Sequence, residues 1–244
     1  MAEHYDETTY GERIASIYDE LYSAYDPAAI ELLAELAQGG QTLELAIGTG
    51  RIAIPLQQRG VSVAGIDASE AMVARLRAKA EGADIPVTMG NFADVAIDGQ
   101  FDLIYIVFNT FYALREQEEQ VRCFANVAQH LKPDGRFLIE AFVPDLCRFD
   151  RGQRVSVVDL GGERVQLDAG QHDLAKQEVR SRHILISEDG IQLFPVHLRY
   201  VWPAEMDLMA RLAGLVLAER WGGWQREPFT SASGSHVSVY RRAG

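Results

Sequence analysis

Between residues 41 and 142 the chain alternates short apolar runs with segments of helical spacing, and this alternation narrows the possible folds more than any other feature. The runs end at Ile47, Asp67, Met89, Phe108 and Phe142, and between them lie stretches such as SEAMVARLRAKAEG and REQEEQVRCFANVAQHL. Strands that alternate with helices are joined by crossovers, so a parallel sheet covered by helices on both faces is expected. Ahead of the first run, Asp26-Pro27 and AAIELLAELAQGG supply an N-cap, a proline at the first helical position, apolar residues at helical spacing and closing glycines. Lys132-Pro133-Asp134-Gly135 is expected as the tight turn into the fifth strand.

After Pro144 the rhythm changes. RVSVVDL, ERVQLDAG, QEVRSRHILIS and IQLFPVHLRYVW are β-rich runs separated by Gly-Gly or Asp-Gly, which predicts an antiparallel insertion. A helix beginning at Pro203 and two strands, LVLAERWGGW and HVSVYRR, complete the chain. The expectation is one α/β domain with a seven-stranded, mostly parallel sheet. It divides into an N-terminal segment (1–25), a ligand-binding core (26–145), the β-rich insertion (146–202) and a C-terminal helix with the last two strands (203–244).

Composition limits the partners. The 244 residues include 23 basic against 35 acidic side chains, and a formal charge of −12 repels nucleic acid phosphate and anionic lipid. A small molecule, not a nucleic acid, is therefore the expected partner. No apolar run approaches the ~18–20 residues of a membrane span. The opening MAEHYDETTY has neither the basic flank nor the apolar stretch of a signal peptide, so a cytoplasmic protein is expected. Cys123 and Cys147 form no CxxC or Cys/His cluster, which points to packing residues and to no metal site. Assembly into a homo-oligomer stays open.

The first strand and its turn read Leu43-Glu44-Leu45-Ala46-Ile47-Gly48-Thr49-Gly50-Arg51. Glycines at such a turn let the backbone approach a ligand closely. Seventeen residues past Gly50 the second strand ends at Asp67, a carboxylate placed to accept from both hydroxyls of a ribose. The same residue could instead cap the helix that begins near Ser69. A nucleoside-containing ligand is implied, and Gly48-Thr49-Gly50-Arg51-Ile52-Ala53 also fits the GxGxxA pattern of NAD-dependent oxidoreductases. Glu44 inside the strand, and the lack of a second domain to present a hydride acceptor, oppose that alternative. A non-catalytic nucleoside-binding protein is a third reading.

With Glu44 followed by Ala46-x-Gly48-x-Gly50, the chain resembles the S-adenosylmethionine-dependent methyltransferases of the Rossmann-like class, whose first motif is an acid followed by GxGxG. The resemblance extends to Asp67, Ala68-Ser69-x-x-Met72, Gly90-Asn91-Phe92, Phe101-Asp102-Leu103-Ile104 and the KPDG turn. It implies S-adenosyl-L-methionine as cofactor and S-adenosyl-L-homocysteine as product. It further implies that Glu44, Ala46, Gly48, Gly50 and Arg51 bound the methionine part, Asp67 and Ala68 the ribose, and Met72, Asn91 and Phe92 the adenine, with Val107, Asn109 and Tyr18 completing the site. Two positions depart from the pattern. Ala46 replaces a glycine, which is tolerable if φ there is not positive. Asn91 replaces the usual aspartate and keeps a carbonyl acceptor, a weaker one.

Tyr5, Tyr10, Tyr18, Tyr22 and Tyr25 crowd the first 25 residues. On one helix Tyr10 and Tyr18 would share a face, which predicts an aromatic lid over the cofactor, although wet-tipped packing residues would show the same spacing. An aromatic N-terminal helix with a β insertion after strand 5 is similar to small-molecule N-methyltransferases, including those of glycine, amino sugars and lincosamides. Tyr10, Tyr18 and Phe111 are the expected catalytic residues, with Phe111 and Tyr112 as an aromatic wall that stabilises a cation by about 0.5–2 kcal/mol. His183, His197 and His236 are candidate acceptor contacts or bases, each more readily explained as structural. The expected reaction is in-line displacement at the sulfonium methyl by an amine or a hydroxyl. No base is evident in the sequence, which favours nitrogen.

Overall fold

The fourth apolar run, Phe101 to Phe108, shows how the sequence builds a two-sided sheet. Leu103, Tyr105 and Val107 point into one core, and Ile104 and Ile106 point into the other. Alternate residues of a strand face opposite sides, so a strand apolar at nearly every position must be covered twice. The structure, a computed structural model, describes residues 5–162 and 164–244. Within them, β1 (Gln41–Leu45), β2 (Ser62–Asp67), β3 (Val87–Met89), β4 (Phe101–Ile106), β5 (Leu131–Phe142), β10 (Leu215–Trp221) and β11 (Ser235–Arg242) form a seven-stranded sheet.

The strand order is β10-β11-β5-β4-β1-β2-β3, with β1 through β5 parallel and β11 antiparallel to both of its neighbours. One face is covered by α3 (Pro27–Ala37), α4 (Ala53–Gln58) and α5 (Glu70–Arg77), through Leu33, Leu56 and Leu76. The other is covered by α6 (Gln117–His130) and α7 (Pro203–Leu212), through Phe124, Val127 and Met206. Local chemistry sets the helix starts. Asp26 accepts from Ala28 N ahead of Pro27, Ser69 accepts from Met72 N, and Glu116 with Glu119 makes a reciprocal capping box. The KPDG segment is not a separate turn before the strand. It lies inside β5 as an irregularity between the Phe101–Leu131 and Leu103–Arg136 pairings.

Order reverses between β1 and β4, so their C-terminal ends open a crevice at the point where ligands bind in such sheets. Two pieces close over it. The insertion forms a second, four-stranded antiparallel sheet in the order β6 (Gln153–Asp159), β7 (Arg164–Asp173), β8 (Glu178–Ser187), β9 (Gly190–Arg199). The N-terminal segment is not one helix but two short ones, α1 (Thr9–Ile14) and α2 (Tyr18–Leu21), interrupted at Ala15–Ile17.

These two helices are strapped across the crevice. Ile14 packs with Met72 of α5 and with Leu185 and Phe194 of the insertion, and Glu12 accepts from Ser69 Oγ at 2.8 Å and from Ala71 N at 3.0 Å. Asp19 meets Lys79 at 2.7 Å and Thr49 Oγ1 at 2.5 Å, and Arg75 donates to Ser16 O at 3.2 Å. Gly11 is the closest approach, because a Cβ there would lie 2.6 Å from Ser69 Cβ. Gly11→Ala must therefore displace α1, at about 1–3 kcal/mol. The two cores of the main sheet contain no residue of the strap, so in Gly11→Ala hydrogen exchange across residues 9–22 is expected to rise about tenfold or more while protection in β1 and β4 holds. Unchanged exchange in the strap would show that the contact yields without cost.

Candidate functional site

β1 ends at Leu45 and the chain then turns through three left-handed residues, Ala46 (φ 58°), Gly48 (φ 57°) and Gly50 (φ 79°). The alanine thus occupies the positive φ that the sequence reading had to exclude. Left-handed backbone costs an L-residue roughly 1–2 kcal/mol, and the turn holds it with Ile47 N donating to Ile66 O and Gly50 N to Ile47 O, each at 3.0 Å. Gly48 N donates to Asp67 Oδ2 at 2.7 Å, and Ser69 N donates to Asp67 Oδ1 at 2.8 Å. Ser69, not Asp67, caps α5. Gly50 is corrected from ligand contact to packing residue. It is buried and borders neither of the two spaces described below, and a Cβ there would fall 2.4 Å from Leu76 Cδ1.

A narrow slot opens above this turn. Glu44, Ala46, Gly48 and Arg51 line it from the β1 side, Asp67, Ala68 and Met72 from β2 and α5, and Asn91, Phe92 and Val107 from the ends of β3 and β4, with Tyr10 and Tyr18 as its roof. Asn91 Oδ1 already accepts from Ala93 N at 2.9 Å, which fixes the amide in place. Glu44 is buried at the floor, where Tyr105 Oη donates to it at 2.9 Å. Burial pushes its carboxyl up to about 8, against the lowering by Tyr105 and the nearby Arg51. Burial also raises Asp67, opposed by the Ser69 and Gly48 amides.

Beside the slot lies a larger cavity of about 480 Å³, walled by Tyr10, Tyr18, Tyr22, Phe108, Phe142 and the inner face of the insertion sheet. The two spaces share Tyr10, Tyr18, Arg51 and Phe108. Arg51 is clamped there, its guanidinium carbon 3.3 Å from the Phe108 ring centre and its Nη1 donating to Tyr22 O at 3.0 Å. Burial raises the Tyr10 and Tyr18 hydroxyls, which stay protonated at neutral pH.

The end of β4 departs from expectation for one physical reason. Phe108 and Asn109 are both left-handed, φ 57° and 62°, and this kink turns Phe108 into the cavity and the following 3-10 turn into the core. Phe111 is therefore not a catalytic wall. It is fully buried, edge-on to Phe124, and lines neither space. Tyr112 is buried too, donating to Phe142 O and Val201 O. Asn109 lies on the larger cavity instead of the slot, and its Oδ1 accepts from Phe142 N at 2.6 Å. Glu140 holds the kink by accepting from Phe108 N at 2.5 Å, and burial raises its carboxyl. Sequence reading placed Phe108 only at the end of a run and Tyr22 only among the crowded tyrosines, and it missed Glu140. An aromatic two residues past a strand and an acid inside an apolar strand were the available signals.

The histidines divide. His183 and His197 line the larger cavity, with His197 stacked on Tyr5 at 4.0 Å, while His236 is buried beside Ser238 and held down to about 4 by burial. No described helix is long and apolar enough to cross a membrane.

This architecture has relatives. Residues 42–135 match the model of the methyltransferase domain family. The CcbJ methyltransferase from Streptomyces caelestis superimposes with a TM-score of 0.92 at 39% identity, covering 98% of this chain and 100% of that one. The cypemycin N-terminal methyltransferase of a Streptomyces species is 31% identical over 97% of this chain and 99% of its own length. The S-adenosylmethionine-bound amino pentose methyltransferase CalS10 from Micromonospora echinaspora shares the fold, with a TM-score of 0.71 at 19% identity over both whole chains.

Glu44 supplies a test of the slot. Its folded-state value of about 8 lies above the ordinary 4.5, so the folded protein keeps a proton that the unfolded chain releases. This contribution is full below pH 4.5 and is lost as the pH rises through 8. Glu44→Gln removes that loss and keeps the acceptor for Tyr105. In urea unfolding of the ligand-free protein, the variant is expected to gain on the wild type by about 1–3 kcal/mol between pH 5 and 8.5. Parallel curves would show that Glu44 is ionised in the fold.

Proposed function

The chain belongs to the S-adenosylmethionine-dependent methyltransferases, and we propose that it methylates an amine nitrogen of a small organic acceptor bound in the larger cavity. The observation that carries this reading is the junction of two spaces: a slot floored by acids and a separate aromatic-walled cavity meet at Tyr10, Tyr18 and Phe108. The relative named as an N-terminal methyltransferase and the fold neighbour named as an amino pentose methyltransferase support nitrogen as the acceptor atom.

The slot's donor set fits the cofactor. Each Asp67 oxygen receives one backbone N–H and keeps lone pairs for ribose hydroxyls. Glu44 is the acid for the α-ammonium, and a cation there restores its charge. Met72, Asn91 and Phe92 flank the adenine position, and Ala46, Gly48, Ala68, Val107 and Tyr18 shape the rest. When bound, S-adenosylmethionine supplies an electrophilic methyl on a sulfonium. Positive charge on sulfur disappears on transfer, so the protein's tasks are orientation, exclusion of water and disposal of one proton. Tyr10 and Tyr18 roof the junction and exclude solvent, which makes the α1–α2 strap a lid. Their hydroxyls, kept neutral by burial, serve as hydrogen-bond donors to the acceptor and not as bases.

The test is a panel assayed with S-[methyl-14C]adenosylmethionine: an alanine-initiated peptide amide, L-prolinamide and a nucleotide-linked 4-amino sugar, each beside its hydroxyl counterpart. Label is expected in at least one amine at 100-fold or more over its alcohol. Label confined to alcohols would overturn the nitrogen assignment. Asp67→Ala is expected to weaken S-adenosylhomocysteine binding by about 2–4 kcal/mol through loss of paired charge-assisted hydrogen bonds. Unchanged calorimetric affinity would remove Asp67 from the site.

A further inference from the structure

On the inner face of the insertion sheet Asp168 of β7 and His183 of β8 stand directly opposite each other, and both line the larger cavity. His183 Nδ1 lies 3.3 Å from Asp168 Oδ1. Both atoms are shut off from solvent, and neither makes a hydrogen bond, the 3.3 Å contact between them included. The two side chains remain 22% and 25% exposed, and that exposure faces the cavity. A carboxylate behind Nδ1 orients an imidazole and leaves Nε2 as the proton acceptor. The pair also sits close to the reaction junction. Both residues line the same cavity as Tyr10 and Tyr22, and Tyr10 borders both spaces.

We propose that the Asp168–His183 pair docks the acceptor's ammonium and takes its proton before methyl transfer. The inference rests on the nitrogen reading above. An amine of ordinary basicity arrives protonated, with no lone pair to attack carbon. His183 Nε2 accepts one N–H proton, the freed lone pair forms the new N–C bond as the S–CH3 bond breaks, and the sulfur keeps the bonding electrons as a neutral thioether. The product leaves as a methylated ammonium, and the imidazolium, paired with Asp168, returns its proton to water. The other ionisable groups lining the cavity are Tyr5, Tyr10, Tyr18 and Tyr22 of the N-terminal segment, Arg51 at the β1 turn, Asp145 and Arg148 after β5, Arg154 on β6, His172 on β7, His197 on β9 and Tyr200. Burial keeps Tyr10, Tyr18 and Tyr22 neutral, His172 meets Tyr200 Oη at 2.8 Å and His197 is stacked on Tyr5, so of the three imidazoles on this cavity His183 is the one with a carboxylate beside it.

The experiment compares His183→Gln and Asp168→Asn with wild type, using the panel amine that is labelled. His183→Gln is expected to lower kcat/KM about 100-fold at pH 7 and to recover to within tenfold near pH 9.5, where the amine loses its proton unaided. S-adenosylhomocysteine affinity should stay within twofold, which certifies the fold and the slot. A pH profile that keeps its wild-type shape at reduced height, or no loss at all, would overturn the pair's role as a proton acceptor. Product analysis that places the new methyl on an oxygen would instead overturn the nitrogen reading on which the proposal stands. Independently of any acceptor, 15N resonances of the full chain with S-adenosylhomocysteine should show neutral His183 protonated on Nδ1, and Asp168→Asn should shift it toward the Nε2–H tautomer. An Nε2–H form in the wild type would refute the arrangement.

Discussion

The hydrogen bond from Gly48 N to Asp67 Oδ2, 2.7 Å long, is the constraint on which the site depends. It joins the turn after β1 to the end of β2, two neighbouring parallel strands whose loops would otherwise be free to diverge. Asp67 is nine-tenths hidden and its carboxyl is raised by burial, so the two backbone donors are what make an ion tolerable there. The bond requires the Gly48 amide to point sideways, toward β2. That direction requires left-handed backbone at Gly48, and the sharp turn around it carries Ala46 and Gly50 into the same region. Sheet order, turn and buried acid form one device.

The same logic recurs at the end of β4, where no glycine is available. Phe108 and Asn109 are held left-handed by Glu140 from the adjacent strand and by the Asn109 side chain on Phe142 N. Strained residues gather at sites because a straight exit from a strand would not aim side chains across its end. Here the strain puts the Phe108 ring at the junction and gives Arg51 a flat surface to rest on. The guanidinium, also tied to Tyr22 O, then links the β1 turn to the N-terminal strap. The β1 turn, the β4 kink and the N-terminal strap are coupled through one side chain.

The sheet, its helices and the antiparallel insertion were legible because periodicity is local: each strand carries its own burial pattern. The slot was legible for a similar reason, since Asp67, Met72, Asn91 and Phe92 follow strand ends directly, and strand ends in a parallel sheet converge. What escaped depends on dihedrals and on register. Phe111 reads as well as Phe108 for an aromatic wall until two left-handed residues exchange their directions. Gly50 looks like Gly48 until Leu76 is seen beneath it. The N-terminal tyrosines keep their common destination although their helix is broken, because the strap bends around the crevice at Ala15–Ile17.

Asp168 and His183 show the limit most clearly. Fifteen residues separate them in a region where β-rich runs could pair in either of two phases, and a shift of one residue sends a side chain to the opposite face. With the observed register the inner face of the insertion meets the strap through apolar Leu185 and Phe194, packed on Ile14. The apolar contacts therefore fix the register, and the register fixes which polar groups are admitted to the cavity. His183 pairs with Phe194 on one side and Asp168 on the other. A slip that hid the polar pair would expose Phe194 and Leu185 together, so the fold cannot relieve the cost of the buried pair without losing the contacts that seat the insertion over the site.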